Sequence, residues 1–566
     1  MEIDEAIALV GGWRRWTTVM FIGTAWSCFV PLAGINMMFV FIAWTPPHHC
    51  KVPNDTLLNQ TIPVDPSQWN QEWSKCSMYV NSSVDNDTMS CQNGWTYYTE
   101  GEKTIVTEFD LVCEYNYLAE LCETLSMMSC IIADLVIAVA VDKFGRKYIH
   151  HVGLVMIIVC GTCLSMSTNF YMFMVFRPLC ALAIACINLP GSALFIELFN
   201  SERRVKAGLA LECSWTFSYM YVALLGYLIP DWRKLVLVIS LVPIAFLPLI
   251  CTIPESVWWL VANNRLDEAE AILQKMAKYN GVKVNGRLLG HSSKKSDPKD
   301  DNEDEKLMTN KSEDKAVENS EKSKETPTPL VEGKTDDDDF YVEKCTDLVT
   351  NRILLKHTII ACLQWFACEL VYYGLILTTP SLAGNKYLNF FLGGLVEVPA
   401  YLLVYPVMSR GRKVPVVVCY ILAGGSLIAA TLTPATTASG ISLTPLILTW
   451  SLLGKFFIYG SFAIVMMYCR ELFPTNLRAT SRGTCAICGR IGTMTAPLMA
   501  YATKSAPWLP NVIMGSVAIF VGLISMNLPE TFDKPLALKI DDIDRMYGKK
   551  RRTKSKDEMH ELSERT

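Results

Sequence analysis

The chain has 566 residues, of which 51% are hydrophobic, and its mean hydropathy is +0.25. A soluble protein of this length would divide into domains with amphipathic periodicity, but here the apolar residues form long runs, which argues against a soluble protein. The net charge of −4 is split among separate segments, and no basic stripe interleaved with aromatic residues occurs, which argues against nucleic-acid binding.

Twelve apolar segments approach or exceed about 20 residues, the length that a helix needs to cross the hydrocarbon core of a bilayer. They lie at residues 17–44, 118–140, 149–169, 171–196, 205–229, 233–253, 356–378, 387–408, 414–434, 441–467, 479–502 and 508–528. The sequence therefore predicts an all-α membrane protein with twelve transmembrane helices in two six-helix halves, 17–253 and 356–528. The first segment is too long for a removable signal peptide. Because the number of spans is even, residues 1–16 and 529–566 lie on one side of the membrane.

The loop between the first two segments, residues 45–117, carries four N-glycosylation sequons and four cysteines. Several sequons in one polar loop indicate a luminal or extracellular face. Four cysteines on such a face favour two disulfides, for which three pairings are possible, and free thiols are the alternative. The sequon asparagines are Asn54, Asn59, Asn81 and Asn86, and the cysteines are Cys50, Cys76, Cys91 and Cys113.

Basic residues concentrate in the turns on the other side of the predicted helices, which is the pattern of a cytoplasmic face. They are Lys143, Arg146, Lys147, Arg203, Arg204, Lys206, Arg410, Arg412, Lys413, Arg470, Arg478, Arg482 and residues 549–552. Arg233 and Lys234 are exceptions on a short outer turn. We therefore expect both termini to be cytoplasmic.

A polar insert, residues 254–355, separates the two halves. Its first part has helical periodicity that ends at Gly281. Residues 281–343 are rich in Lys, Asp, Glu and Ser, so we expect this part to be disordered, because it cannot bury an apolar core.

A short basic motif, Asp142-Lys-Phe-Gly-Arg-Lys147, lies in the turn between the second and third segments. Gly145 permits a tight turn, and the charged residues can pair across the helix ends. A second copy, residues 410–413, lies between the eighth and ninth segments. The recurrence at matching places predicts an internal repeat, as in transporters built from two six-span halves.

The first copy resembles the G-x-x-x-D-R-x-G-R-R/K signature of the major facilitator superfamily, with Ala138 in place of Gly and Lys143 in place of Arg. The second copy is more degenerate, with Met408 at the position of the acid. The segment that begins at Pro254-Glu255 resembles the P-E-S-P-R-W-L motif that ends the first half of many members. Trp258 replaces the usual Arg of that motif.

Further motifs are similar to those of the organic cation, organic anion and carnitine transporter family, over nearly the whole chain except the polar insert. They are residues 107–113, 231–233, 372–375, 454–456 and 471–475 with Arg478. The resemblance implies a plasma-membrane transporter that carries small organic solutes by alternating access, with its site near the midplane between the halves. A coupling ion, Na⁺ or H⁺, and the oligomeric state stay open, and no other cofactor is implied.

The resemblance also implies residues for gating. Arg177 matches the arginine of the family's fourth-span motif, which implies gating or coupling. Glu197, with Glu212, flanks Arg203 and Arg204, so we interpret these residues as a cytoplasmic gate network. The predicted gating and signature residues are Asp142, Gly145, Arg146, Lys147, Arg177, Glu197, Arg203, Glu255, Glu471 and Arg478.

Arg490 indicates the branch of the family. Cation-selective members typically carry Asp at this place, whereas anion-selective and carnitine-type members carry a base. Residues 396–401 resemble the carnitine branch, and the anion branch often has Lys at the place of Tyr401. The resemblance therefore implies a site for zwitterions such as carnitine, a betaine or a β-amino acid.

The charges near mid-depth support this interpretation independently: Arg490, Lys455, Glu397 and Glu369 can offer opposite poles to a substrate. We expect Arg490 to bind a carboxylate, and Glu397 or Glu369 to face an ammonium group with help from aromatic rings. The alternatives are a structural ion pair of Arg490, a mutual pair of Lys455 and Glu397, and ordinary packing of the rings. The predicted uncharged site residues are Trp365, Tyr372, Tyr373, Tyr401 and Asn36.

Other functions are less compatible with the sequence. No H-E-x-x-H or G-x-S-x-G motif indicates an enzyme, and His150 and His151 have no nearby cysteine ligands for a metal. Scattered midplane charges argue against a channel. An organic cation or biogenic amine transporter is the main alternative, and an organic anion exchanger or a non-transporting sensor is less favoured.

Overall fold

The structure is a computed structural model. It describes residues 3–11, 14–52, 61–64, 73–80, 87–99, 101–199, 201–250, 252–284, 286–289, 347–382, 384–437, 440–534, 537 and 540–547. The predicted glycosylation sites Asn54, Asn59, Asn81 and Asn86 lie outside the described residues, as does most of the segment predicted to be disordered.

Six helices form the first half, and we number the twelve long helices of the chain α1–α12. They are α1 (Arg15–Met37, continued by Phe39–Ile42), α2 (Leu118–Phe144), α3 (Arg146–Ser165), α4 (Phe170–Glu197), α5 (Ser201–Leu228) and α6. Helix α6 runs as Trp232–Leu241, tightens to a 3₁₀ turn at Val242–Phe246 and ends as Leu247–Ile250. The tightening coincides with Pro243, which lacks the N–H that a continuous α-helix needs.

Six helices form the second half. They are α7 (Arg352–Thr378), α8 (Lys386–Leu395 and Glu397–Met408), α9 (Lys413–Leu432), α10 (Thr444–Leu472), α11 (Arg478–Ser505) and α12 (Leu509–Ser525). Helix α8 is interrupted at Val396, directly before Glu397.

Among the described residues, eight helices are long and apolar enough to cross a membrane by composition alone: α1–α4 and α7–α10. The others fall short for identifiable reasons. Helices α5 and α11 carry charged residues, α6 is interrupted, and α12 has 17 residues. Charged side chains within a membrane helix usually face the interior of the bundle, so α5 and α11 become candidates for the inner lining.

The two halves repeat one packing pattern. In the first half α3 packs on α4 and α6, and in the second half α9 packs on α10 and α12. The halves meet where α2 contacts α11 and where α5 contacts α8. One apolar core lies around Phe173 and Trp232 of the first half and includes Phe390 of α8, and a second lies around Tyr420 and Tyr468 of the second half.

The loop after α1 contains two short antiparallel strand pairs and two disulfides. Strand β1 (His48–Cys50) pairs with β4 (Trp95–Tyr97), and β2 (Ser77–Tyr79) pairs with β3 (Thr88–Ser90). The disulfides are Cys50–Cys91 and Cys76–Cys113, which is one of the three pairings that the sequence allows. We call this end of the bundle the loop end.

The opposite end carries the terminal helices, and we call it the termini end. Helix Ile3–Val10 packs with Leu266–Tyr279, while Ile540–Tyr547 packs against α7. The helical stretch predicted to end at Gly281 is two helices, Val257–Ala262 and Leu266–Tyr279. The break includes Asn264, whose positive φ of 58° cannot continue a right-handed helix.

Candidate functional site

Arg490 of α11 forms an ion pair with Asp134 of α2, so it connects the two halves. Its Nη2 lies 3.1 Å and its Nε 3.2 Å from Asp134 Oδ2. The side chains of Arg490 and Asp134 are 33% and 30% exposed, so the pair is only partly buried. The position of Arg490 in the sequence indicates a charge at membrane depth, but it does not identify Asp134 as its partner.

Glu369 of α7 lies beside this pair, within electrostatic range of Arg490. Its Oε2 accepts a hydrogen bond of 3.1 Å from the Thr493 hydroxyl. A side chain at Gly489 would come within 3.1 Å of Glu369 and 3.3 Å of Trp365, so this glycine brings α11 close to both residues. The half-buried Tyr373 is also close to Glu369 and Arg490. Four of the predicted site residues therefore lie together.

Lys455 and Glu397 form a second, buried pair. Lys455 Nζ lies 3.0 Å from Glu397 Oε1, and the two side chains are 2% and 0% exposed. The Tyr372 hydroxyl donates to Glu397 Oε1 at 2.9 Å, and the Thr216 hydroxyl donates to Oε2 at 3.4 Å. Lys455 Nζ is also 4.2 Å from the centroid of the Tyr219 ring. The geometry is that of a mutual ion pair, one of the two alternatives that the sequence allows.

Glu212 of α5 lies among aromatic side chains of the second half. Its Oε2 accepts a hydrogen bond of 2.9 Å from the Tyr459 hydroxyl. The Tyr459 ring centroid is 5.9 Å from that of Tyr372 and 6.4 Å from that of Tyr401. Trp215 Nε1 donates to the Tyr372 hydroxyl at 3.0 Å.

The described partner of Glu212 is thus Tyr459 of the second half, and the grouping of Glu212 with Arg203 and Arg204 in a gate network stays a prediction. The spacing of polar and aromatic residues along α5 could have predicted that Glu212 faces the second half. Glu212, Trp215, Thr216 and Tyr219 recur at three- and four-residue intervals, so they lie on one face of α5.

Ion pairs between the halves close the loop end. Lys504 of α11 lies 2.7 Å from Glu120 of α2 and donates to Asn116. Lys386 of α8 lies 2.5 Å from Glu102, which also accepts a hydrogen bond from the Tyr387 hydroxyl at 2.9 Å. These contacts hold α8 and α11 against the first half on this side.

At the termini end, by contrast, the ion pairs among the described residues lie within one half. Arg146 lies 3.8 Å from both Asp142 and Glu197 in the first half. Arg412 lies 3.1 Å from Glu471 in the second half. Among the described ion pairs at the two ends of the bundle, those that join the halves lie at the loop end.

The predicted repeat has a counterpart in hydrogen bonding. In the first half Glu255 accepts bonds from the backbone N–H groups of Arg146 and Lys147, at 3.0 and 3.1 Å. In the second half Glu530 accepts equivalent bonds from Arg412 and Lys413, at 2.8 and 3.0 Å. A carboxylate thus binds the first backbone N–H groups of α3 in one half and of α9 in the other. We call each of these two carboxylate–backbone contacts a clamp.

Glu530, the carboxylate that binds the start of α9, has a lowered pKa. Burial alone would raise the pKa of Glu530, but hydrogen bonds from the backbone N–H groups of Arg412, Phe532, Lys413 and Thr531 outweigh burial. Together they hold the pKa of Glu530 below its usual 4.5. The clamp in this half is therefore built around a carboxylate that stays ionised.

Gly145 and Trp259 complete the clamp in the first half. Gly145 has φ of 96°, and a Cβ there would lie 2.5 Å from Glu255 Oε2. Trp259 Nε1 donates to the Asp142 carbonyl at 2.9 Å. The motif that includes Asp142 and Lys147 therefore docks onto the segment after α6.

Arg177 forms a buried bidentate pair with Glu123 inside the first half. The nitrogen–oxygen distances are between 2.8 and 3.1 Å, and the side chains are 0% and 1% exposed. This partner of α2 is not apparent from the sequence.

Three remaining predicted residues lie apart from the site. Arg203 is half-buried in the first turn of α5, and Arg478 donates to Thr475 at the start of α11. Asn36 is half-buried in α1, and no contact in the described part of the chain joins it to the Arg490 group.

The chain is similar to a family of transporters. The family described as "Sugar (and other) transporter" matches residues 78–543. Organic anion transporter 3 of Oryctolagus cuniculus and of Homo sapiens are each 30% identical over 543 residues, with 94% of this chain and 92% of the relative covered. An organic cation transporter-like protein of Drosophila melanogaster is 28% identical over 565 residues, with 97% of this chain and 94% of the relative covered.

Solved structures share the fold. The xylose transporter XylE of E. coli in an inward-open conformation superposes with a TM-score of 0.57 at 13% identity, covering 94% of this chain and all of that one. A D-xylose–proton symporter gives a TM-score of 0.56 at 13% identity, covering 92% of this chain and 99% of that one. The prediction of twelve helices in two six-helix halves is confirmed.

Proposed function

This chain belongs to the family of sugar and other transporters, with the major facilitator fold, and we propose that it carries small zwitterionic organic solutes by alternating access. We place it in the plasma membrane with the loop end outside and both termini in the cytoplasm. The observation that carries the proposal is the pair of opposite charges at the contact of α11 with α2 and α7, the partly exposed guanidinium of Arg490 within electrostatic range of the carboxylate of Glu369.

In this proposal Arg490 binds the carboxylate of the substrate. The guanidinium is planar and can bind a carboxylate through two parallel hydrogen bonds. Asp134 now accepts bonds from Nε and Nη2, so a substrate carboxylate would compete with it. Because Asp134 and Arg490 belong to different halves, this competition would couple binding to the movement of the halves.

Glu369 would face the ammonium group of the substrate. Its described hydrogen bond comes from Thr493, and the half-buried ring of Tyr373 lies beside it and can add a cation–π contact. Glu397, the other acid considered for this role, is buried in its pair with Lys455 and so is less suited to meet a solute.

A second candidate function is the transport of organic cations. Four carboxylates lie at the interface, Asp134, Glu212, Glu369 and Glu397, against two bases, Arg490 and Lys455, so the acids exceed the bases by two. Glu212, next to Tyr459 and near Tyr401, would suit a cation that carries no carboxylate. The relatives named organic anion transporters favour a third class of substrate, so the test includes it.

The test is uptake of a labelled zwitterion (carnitine or β-alanine), a permanent organic cation and an organic monoanion in one cell line. Wild type is compared with Arg490→Ala, Glu369→Gln and Glu212→Gln at equal surface expression. The matched control is Arg287→Ala, which breaks an exposed Arg–Asp pair outside the membrane helices.

We expect zwitterion uptake to fall at least about tenfold in Arg490→Ala, which corresponds to about 1.4 kcal/mol of lost binding, and to be unchanged in the control. Cation uptake that persists in Arg490→Ala and is lost in Glu212→Gln would replace this function by the second candidate. Uptake of the monoanion alone would contradict both.

A further inference from the structure

Four cysteines from three helices of the second half converge near the termini end. Cys485 Sγ of α11 lies 4.0 Å from Cys362 Sγ of α7 and 3.9 Å from Cys469 Sγ of α10. Cys488, one turn after Cys485, lies beside Cys362. These residues, Cys362, Cys469, Cys485 and Cys488, are called the thiol cluster below.

Two sulfur separations in the cluster, both from Cys485, match those of a metal–thiolate site. The sulfurs of Cys362 and Cys469 are more than 4.8 Å apart and would approach each other when both bind one metal. With metal–sulfur bonds of about 2.3 Å, neighbouring sulfurs lie about 3.8 Å apart in a tetrahedral site and about 4.0 Å apart in a trigonal one. Cys485 is at the centre of the cluster, at such distances from two partners on other helices. All four are free thiols, in contrast to Cys76 and Cys113, which are joined in a disulfide.

The cluster has one accessible side and lies near two cations. Exposed Arg470 adjoins Cys469 in sequence, and exposed Arg482 lies within electrostatic range of the same cysteine. Cationic neighbours favour the ionised form of a thiol. Cys362 and Cys488 are half-exposed, whereas Cys469 and Cys485 are buried, so an ion can enter from one side and be enclosed on the other.

We propose that the thiol cluster is a binding site for one thiophilic divalent cation of the Zn²⁺ class, with Cys362, Cys469 and Cys485 as ligands and Cys488 or water as the fourth. Each ligating thiol releases its proton to water, so that one M²⁺ and three thiols give a complex of charge −1 and three protons. At a cytoplasmic face thiols stay reduced, and such groupings bind metals rather than forming disulfides.

The bound ion would regulate transport because of where it lies. It would join α7, α10 and α11 of the second half directly beside the Arg490 group. Trp365 lies one turn from Cys362 and contacts Cys469, and Arg490 follows Cys488 by two residues. We expect the metal to hold the Arg490 group in one arrangement and to inhibit uptake.

The experiment uses purified full-length protein and Cd²⁺ as the probe. Binding is followed by the thiolate-to-cadmium charge-transfer absorbance and by the cadmium retained after desalting. The variants are Cys485→Ser and Cys362→Ser; the second replaces a half-exposed residue and decides the matter if the first does not fold. The matched control is Cys160→Ser/Cys163→Ser, two half-exposed free thiols three residues apart on α3, like Cys485 and Cys488 on α11.

We expect wild type and the control to retain about one Cd²⁺ per chain, and either cluster variant to bind it at least about tenfold more weakly. Inhibition of uptake by Cd²⁺ should shift in parallel. Wild type that retains no Cd²⁺, or cluster variants that retain it as wild type does, would overturn the site. Since binding is measured without substrate, failure of the zwitterion proposal would leave this result unaffected.

Discussion

At the scale of single residues, the Lys455–Glu397 pair is the most demanding feature of the interface. Both side chains are buried, and an ion removed from water loses hydration that a partner must offset. Tyr372 and Thr216 supply further hydrogen bonds to Glu397. The pair is therefore tolerable only as a set, and each member depends on the other.

Replacing one member of the Lys455–Glu397 pair should lower the stability of the protein more than replacing both. Lys455→Met leaves a buried carboxylate without its cation, and breaking a buried pair in this way costs about 3–5 kcal/mol. Lys455→Met/Glu397→Gln leaves no buried charge at this position and should recover most of the loss. Thermal unfolding of the purified protein measures both. Arg287→Ala, at an exposed pair, should shift the midpoint little, and a single variant as stable as the double would contradict the expectation.

At this scale the sequence predicts how deep a charged residue lies in the membrane, but it does not predict which residue it pairs with. The position of Arg490 within α11 follows from its spacing in the chain, which is a local property. Its partner Asp134 is 356 residues away, and only the packing of α2 on α11 brings them together. The contact of Glu212 with Tyr459 is not apparent from the sequence for the same reason, since the two residues belong to different halves.

At the scale of helices, α7 and α11 are in backbone contact. A Cβ at Gly492 would lie 2.4 Å from the carbonyl oxygen of Phe366. Small residues at such positions let membrane helices approach closely, and this approach sets the position of Glu369 relative to Arg490.

Gly492→Ala should therefore separate the two helices. We expect lower expression, a lower unfolding midpoint and at least about tenfold less uptake, because misplacing site residues by an ångström has effects of that size or larger. Gly483→Ala in the same helix is the control, since a Cβ there meets nothing within 4 Å. Equal behaviour of the two variants would refute the close approach.

The clamp at Glu530 predicts a dependence of stability on pH. A carboxylate whose pKa is lowered by folding stabilises the folded state above its unfolded pKa, and this contribution is lost as the pH falls through the folded pKa. Because the pKa of Glu530 lies below 4.5 in the folded chain, wild type should exceed Glu530→Gln in unfolding midpoint at pH 7. The difference should shrink as the pH falls below 4.5.

Midpoints measured from pH 7 down to pH about 3 test this expectation, where the usual carboxylate pKa values lie. Glu114→Gln, which removes an exposed carboxylate, should show no such pattern. A gap between wild type and Glu530→Gln that widens in acid would contradict the assigned sign.

At the scale of the whole molecule, two ion pairs connect the halves at the loop end. The described charges that bridge the halves at the ends of the bundle, Glu120–Lys504 and Glu102–Lys386, lie at the loop end. The sequence predicts the twelve helices from its long apolar runs, and it predicts the repeat from the two copies of the basic motif. The ion pairs that join the halves at the loop end are not predictable from the sequence, because they depend on which residues of different halves meet.

Weakening the loop end should favour the state that opens there. In Glu102→Gln/Glu120→Gln both bridging acids are neutral, so more of the carrier should be ready to bind solute from that side. The KM for solute added outside should fall, since affinity scales with the fraction in the competent state. Glu108→Gln removes an acid that pairs with Arg233 inside the first half and should not change KM. An unchanged or higher KM in the double variant would contradict the role of these pairs.

The two surplus carboxylates of the interface have an electrical consequence. A carrier that reorients empty with both ionised moves negative charge through the membrane field, at about 2.3 kcal/mol per elementary charge for each 100 mV. A neutral zwitterion leaves that charge unchanged, whereas a cation, a proton or Na⁺ offsets it. The steady current under voltage clamp, compared with the solute flux, would therefore count the charges that accompany each cycle.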